Sequence, residues 1–255
     1  MRDELPRLQS LQAATRWLGE ALARCREDET TYAADISGLD EEERTLIDQL
    51  LGEGEVSLRV RRGEEAIRIQ ESVLPGIWRC REQDSRGRVR RDRLEVGALP
   101  RGVRRPPDPA AIEALCGTPP PEGALHAPAI LTELAAQAKR WRRGNPAYAI
   151  NLTLLPMSPA DLAFLERTLG RGPVETLSRG YGDCRVIATA CPGIWWVRYT
   201  NAMGRLILNT LEITDIPAVV CAAPEDLEAS HRRLPELLEE LPWLNPQPME
   251  REAAP

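Results

Sequence analysis

Three blocks recur in this chain in one order and almost one spacing. Leu51-Gly52-Glu53-Gly54-Glu55-Val56 returns as Leu169-Gly170-Arg171-Gly172-Pro173-Val174, 118 residues on. Pro75-Gly76-Ile77-Trp78 returns as Pro192-Gly193-Ile194-Trp195. Leu94-Glu95-Val96-Gly97-Ala98-Leu99-Pro100 returns as Leu211-Glu212-Ile213-Thr214-Asp215-Ile216-Pro217, both 117 residues on. Blocks that keep order and register define two similar units, and they restrict the fold to one that can be built twice. At 255 residues the chain gives each unit the length of a small domain.

Each copy has the same order of elements. Leu and Ala recur at three- and four-residue intervals over Leu8 to Arg24 and over Pro128 to Arg142, the period of an amphipathic helix. A short strand follows, around Tyr32 to Ile36 in the first copy and at Tyr148 to Leu155 in the second, where Ile150, Leu152 and Leu154 would share a face. The next helix starts at Asp40 or Ser158, with Glu43 or Asp161 three residues on, and stops at Gly52 or Gly170.

Four strand-like runs come after it. In the first copy they are Val56 to Val60, Ala66 to Glu71, Ile77 to Arg81 and Val89 to Val96; in the second, Val174 to Leu177, Arg185 to Ala190, Ile194 to Tyr199 and Leu206 to Ile213. The predicted fold class is α+β: a tandem duplication of a module with two helices and a mainly antiparallel sheet, helices on one face. Residues 1–103 form the first repeat, and 104–127 a Pro-rich linker with a short helix from Ala110 to Leu115. Residues 128–241 form the second repeat, closing on a helix from Pro224 to Leu241, and 242–255 a flexible tail.

Composition narrows the class of function. The start, MRDELPRLQS, lacks the apolar core of a secretory signal, and no run approaches the roughly 18 apolar residues of a membrane span. Six cysteines are too dilute for a disulfide framework, so a reducing, cytoplasmic setting is expected. A formal charge of −6 argues against a general affinity for nucleic acid or anionic membranes, and with no run of membrane-spanning length no membrane insertion is expected. Ten arginines fall between positions 79 and 105, interleaved with acids in a strand-like pattern, which reads as a solvated sheet face.

Catalysis finds little to work with. The two histidines, His126 and His231, stand beside the Pro linker and on the last helix, outside any motif that would activate a cysteine. Cys184 and Cys191 are seven residues apart, not the two to four of a metal knuckle. The segment Arg179-Gly180-Tyr181-Gly182-Asp183-Cys184 does not lead from a strand into a helix, so its glycines mark a hairpin and not a phosphate cradle. Its tip is a contact surface instead. In Trp195-Trp196, Trp195 matches Trp78 and is the core member; Trp196 points the other way, either outward as a binding anchor or under a helix.

Asn151-Leu152-Thr153-Leu154-Leu155-Pro156, Leu169 to Val174, Ser178 to Arg185, Trp195-Trp196-Val197-Arg198-Tyr199 and Leu206 to Glu212 resemble the HupH/HyaF family of hydrogenase expression and formation proteins. The likeness runs through most of the chain. It implies a non-catalytic cytoplasmic helper of uptake [NiFe] hydrogenase that binds the iron–sulfur small-subunit precursor before export, often beside a thioredoxin-like co-chaperone, and it implies no cofactor. On this reading the partner-binding residues are Arg179, Tyr181, Cys184, Trp196, Arg198, Asn201 and Asn209. An alternative makes the protein a thiol redox or metal-handling factor that meets the client's iron–sulfur cluster through Cys184.

Overall fold

The computed structural model describes residues 5–180 and 182–240. Tyr181, Leu241 and the tail expected from residue 242 lie outside the described residues. The first half runs α1 (Leu11–Asp28), β1 (Tyr32–Asp35), α2 (Glu41–Leu51), β2 (Val56–Arg62), β3 (Glu65–Glu71), β4 (Ile77–Gln83) and β5 (Val89–Val96). A short α3 (Pro109–Glu113) leads to the second half: α4 (Ala127–Arg140), β6 (Tyr148–Asn151), α5 (Pro159–Leu169), β7 (Val174–Arg179), β8 (Asp183–Ala188), β9 (Ile194–Thr200) and β10 (Leu206–Ile213). α6 (Pro224–Glu239) follows.

The strands make one ten-stranded sheet of order β1-β5-β4-β3-β2-β7-β8-β9-β10-β6, so the fold is α+β. β2 and β7 join the halves antiparallel, with Leu58 opposite Thr176 and Arg59 opposite Glu175. Leu58 and Thr176 are 118 apart, the spacing of the block beside them. The seam is therefore centred on equivalent residues, and the architecture is loosely symmetric about it.

Local chemistry recurs with the elements. Asp40 and Ser158 each cap a helix in a reciprocal capping box with Glu43 and Asp161. The buried indoles of Trp78 and Trp195 donate to the carbonyls of Gly97 and Thr214 at 2.9 and 3.0 Å, satisfying the one polar atom each brings into the core. Gly76 and Gly193 hold positive φ at matching turns, where a Cβ would run into Leu227 of α6 or into the backbone at Pro107.

Three hydrophobic clusters divide the interior. On one side of the sheet, Ile77, Leu94 and Val96 pack with α1, α2 and α6. Ile194, Trp196, Leu211 and Ile213 pack with α3, α4 and α5 on the same side. Trp78, Cys80, Cys184, Val186, Trp195 and Val197 face the other way, closed by Leu99, Val103, Ile216 and Val220 from the segments that follow β5 and β10. The packed helices thus occupy one face. α6 crosses back to the first half: Leu227 and Leu234 enter the α1 cluster, and the Ser230 hydroxyl donates to the carbonyl of Pro75 at 2.8 Å.

Two local expectations need correction. The strand predicted from Tyr148 to Leu155 ends at Asn151, and Leu152–Leu154 wind into a 3-10 turn. The Asn151 side chain accepts the Thr153 N–H, and the Thr153 hydroxyl accepts the Asn209 N–H at 2.8 Å, replacing the ladder bond a longer strand would have made. Leu152 stays buried while Leu154 leaves the face it was expected to share. The arginines between 79 and 93 are also not simply solvated. Arg79 is buried against Asp92, and Arg88 and Arg90 share Asp84; Arg91 pairs with Asp35, and Arg93 with Glu82.

Candidate functional site

The second half exposes an apolar surface at one end of the sheet. β10 starts there, out of the turn after β9, and the 3-10 turn after β6 lies beside it through the Thr153–Asn209 bond. Met203 is 87 % exposed, Leu154 80 % and Ile207 55 %, with Leu206 and Leu155 also open to solvent. The turn between β7 and β8 reaches the same end: Asp183 pairs with Thr200, and a Cβ on Gly182 would strike the Thr200 carbonyl.

The turn that carries Met203 is built by Asn201. Its side-chain oxygen accepts the N–H groups of Met203 and Arg205 at 3.0 and 2.9 Å. Asp84 does the same in the first half, accepting from Arg86 and Arg88 at 2.9 and 3.0 Å. The backbone device is shared but its cargo is not: Arg86 and Arg90 stand where the second half has Met203 and Ile207. A solitary exposed Leu needs no explanation, whereas five exposed apolar side chains gathered at one end of the sheet, around a partly open strand, make this end a candidate contact surface.

The residues singled out from sequence divide into two groups. Arg179, Gly180 and the Asn201 turn are at the exposed end. Trp196 is covered, at 5 % exposure, and packs in the cluster of α3, α4 and α5. Its indole donates to Asn209 Oδ1, itself buried; Arg198 stacks 4.5 Å from the Trp196 ring and pairs with Glu166 of α5. Of the two orientations open to Trp196, the structure takes the one under a helix. These three residues brace β9 and β10 against α5.

In the first half the same positions are held by Arg79 and Asp92, paired at 2.8 Å, with Arg81 and Asp48 where Arg198 and Glu166 stand. A buried ion pair in one half is thus a Trp–Asn hydrogen bond in the other.

Cys184 is buried at 3 % exposure, on the face away from the helices. Burial raises its thiol above the ordinary range, more than a hydrogen bond to Tyr199 lowers it. Cys191 is buried on the opposite side, in the helix cluster, and burial raises it too. The two thiols are separated by the sheet. Among the described residues no group of three or more His, Cys, Asp and Glu could hold a metal, and no helix is long and apolar enough to cross a membrane.

Sequence reasoning missed Leu154, Met203, Leu206 and Ile207. The signal was in the repeat itself, at positions where the copies differ: Met203 against Arg86 and Ile207 against Arg90.

Known proteins resemble the chain over nearly its whole length. The family described as HupH hydrogenase expression protein, C-terminal conserved region, matches residues 13–113 and 124–241. The hydrogenase expression/formation protein HoxQ of Cupriavidus necator is 44 % identical over 241 residues, covering 92 % of this chain and 83 % of its own. HupH of Rhizobium leguminosarum bv. viciae is 42 % identical over 226 residues, 87 % of this chain and 79 % of its own. The hydrogenase-1 operon protein HyaF of Escherichia coli is 36 % identical, covering 83 % and 73 %. A solved hydrogenase expression protein HupH from Thiobacillus denitrificans, 29 % identical, aligns with 46 % of this chain and 97 % of its own at a TM-score of 0.43. By the extent of the family match and the identity of these relatives, the chain belongs to the HupH/HyaF family of hydrogenase expression and formation proteins.

Proposed function

We propose that this hydrogenase maturation accessory protein acts by binding, and that its client is the iron–sulfur small-subunit precursor of an uptake [NiFe] hydrogenase, held before export. The observation that carries the reading is the apolar end of the second half. Met203, Leu154 and Ile207 are presented by a hydrogen-bonded turn and a partly open strand, with Arg179 and the Asn201 turn beside them. Tyr181 belongs to the same hairpin in sequence. Trp196, Arg198 and Asn209 serve this surface by holding β9 and β10 to α5, and Cys184 by filling the opposite face. A thioredoxin-like co-chaperone is a second partner on the same reading. The two halves descend from a tandem duplication, as the recurring blocks and the shared caps, indole bonds and turns suggest, and the second copy has acquired the contact surface.

The test is co-purification of tagged protein with the small-subunit precursor from cells expressing both. Wild type should retain the precursor, and Met203→Glu with Ile207→Glu should lose it by about tenfold or more, as charge at the centre of an apolar contact requires. A double variant that folds and still retains the precursor fully would sink the reading. Cys184→Ala should keep the interaction.

A further inference from the structure

α2 lies over β4, where Asp48 meets Arg79 and Arg81, and α5 lies over β9, where Glu166 meets Arg198. Between them the helix side of β3, β2, β7 and β8 carries no helix among the described residues. What it carries is arginine. Arg81, Arg68 and Arg59 stand directly opposite one another on β4, β3 and β2. Across the seam Arg185 stands opposite Arg198. Arg68 and Arg185 occupy the same place in the two halves, 117 residues apart.

Like charges placed directly opposite on neighbouring strands destabilise a sheet. The chain could relieve the strain with acids, as it does for Arg79, Arg81 and Arg198. Among the described residues, however, Arg59, Arg68 and Arg185 enter no ion pair, although Glu175 faces Arg59 across the seam. All three are exposed on the floor of an open valley of about 650 Å³. Five arginines line it against Asp48, Glu53 and Glu175, in a protein whose formal charge is −6. Unpaired cations kept in rows at a cost to stability, and of opposite sign to the whole molecule, mark a surface set aside for an acidic partner.

The shape selects the kind of partner. β4 and β9 are five strand spacings apart, each roughly 4.8 Å, which leaves room between α2 and α5 for one more helix about 10 Å across. The valley is open along its length, and exposed side chains form its floor, with no enclosing ring of backbone N–H groups to grip a small anion. We infer that the valley is the docking site of an acidic amphipathic helix of a partner protein, which completes the helix layer over the centre of the sheet. Its acids would meet Arg59, Arg68 and Arg185, and its apolar side would rest on the partly buried Leu177 in the valley floor. This surface is separate from the apolar end of β10, and the inference stands whether or not the small-subunit precursor binds there.

The probe is an acetylated peptide of about 18 residues built from Glu, Leu and Ala as an amphipathic helix, with a counterpart in which every Glu is Gln. Binding to the full chain is read by fluorescence anisotropy at low and high salt. The Glu peptide should bind about tenfold more tightly than the Gln peptide and weaken with salt. Arg59→Glu, Arg68→Glu and Arg185→Glu together should abolish that preference. Arg68→Gln with Arg185→Gln should weaken binding while leaving the melting temperature equal or higher, which distinguishes a docking role from a structural one. Equal affinity for the two peptides, or an unchanged affinity in either variant, overturns the inference. So does displacement of the Glu peptide by micromolar pyrophosphate, which would make this a small-anion site. Sedimentation showing a dimer that the charge reversals dissociate would make the occupant a second copy of this chain, and would also overturn it.

Discussion

Glu71 offers a direct test of the packing between the two halves. It closes β3, is 5 % exposed, and accepts the Gly76 N–H at 3.3 Å. Burial, outweighing the hydrogen bonds donated by Gly76 and Val56 and helped by the nearby charges of Asp226 and Glu55, pushes its carboxyl from an ordinary 4.5 up to about 7. A carboxyl whose folded value is raised holds its proton more tightly in the native state. Its contribution to stability is fully present below about pH 4.5 and is lost as the pH rises through about 7. At about 1.4 kcal/mol per pH unit, the charged form costs the native state about 3 kcal/mol at pH 8 as an upper figure.

Glu71→Gln keeps the acceptor for Gly76 and removes the titration. In urea unfolding it should match wild type near pH 4 and exceed it by about 2 to 3 kcal/mol at pH 8, with a flatter profile between. Asp226→Asn should move the wild-type profile part of the way in the same direction. A Glu71→Gln protein no more stable than wild type at pH 8 would refute the reasoning, because it would mean that the ionised carboxylate is already compensated where it sits.

Asp161 runs the opposite way. Burial alone would raise it, but N–H donors from Ala127, Ser158 and His126, together with the Ser158 hydroxyl, hold it at about 2. Its stabilisation is present above the ordinary carboxylate value and lost as the pH falls through about 2, and Asp161→Ala should cost about 2 to 4 kcal/mol at pH 7 by thermal or urea unfolding. Arg79→Trp alone leaves the buried Asp92 with only the more distant Arg81, at 3.8 Å, and should cost about 3 kcal/mol; adding Asp92→Asn installs the pair found in the other half and should recover most of it. In native protein, titration with a thiol reagent should modify Cys116 and Cys221, the partly exposed cysteines, well before Cys184. Rapid modification of Cys184 would contradict its burial.

Much of the fold was legible because local rules and the repeat agreed. Asp40 and Ser158 announced their helices, Gly52 and Gly170 ended them, and β5 and β10 begin and end where the apolar pattern does. β6 stops at Asn151, short of its apolar pattern, for a physical reason. Its Ile-Leu-Leu alternation suits a strand, yet the Asn151 and Thr153 side chains compete for the backbone bonds and wind the segment into a 3-10 turn.

The candidate site was harder to see, because exposure is a property of what packs nearby. Trp196 and Met203 are both large and apolar, and only the placement of α5 makes one a core residue and the other a surface one. The arginine valley was invisible for a similar reason. Arg59, Arg68 and Arg185 lie outside the Arg-rich stretch that draws the eye, and it is strand register that brings Arg59 and Arg68 into one row and sets Arg185 opposite Arg198.

The return of α6 to the first half bears on the order of synthesis. Leu227 and Leu234 complete a core whose other walls, α1 and α2, are made some 200 residues earlier. While the rest of the chain is still being translated, Leu18, Leu22 and Ile77 lack Leu227, Leu234 and the partly buried Leu237 and Leu238 of that cluster, and the side of α1 that α6 will cover stays wet. A newly made first half is therefore an unfinished object, open to solvent and to stray association until the far end of the chain arrives to cover it.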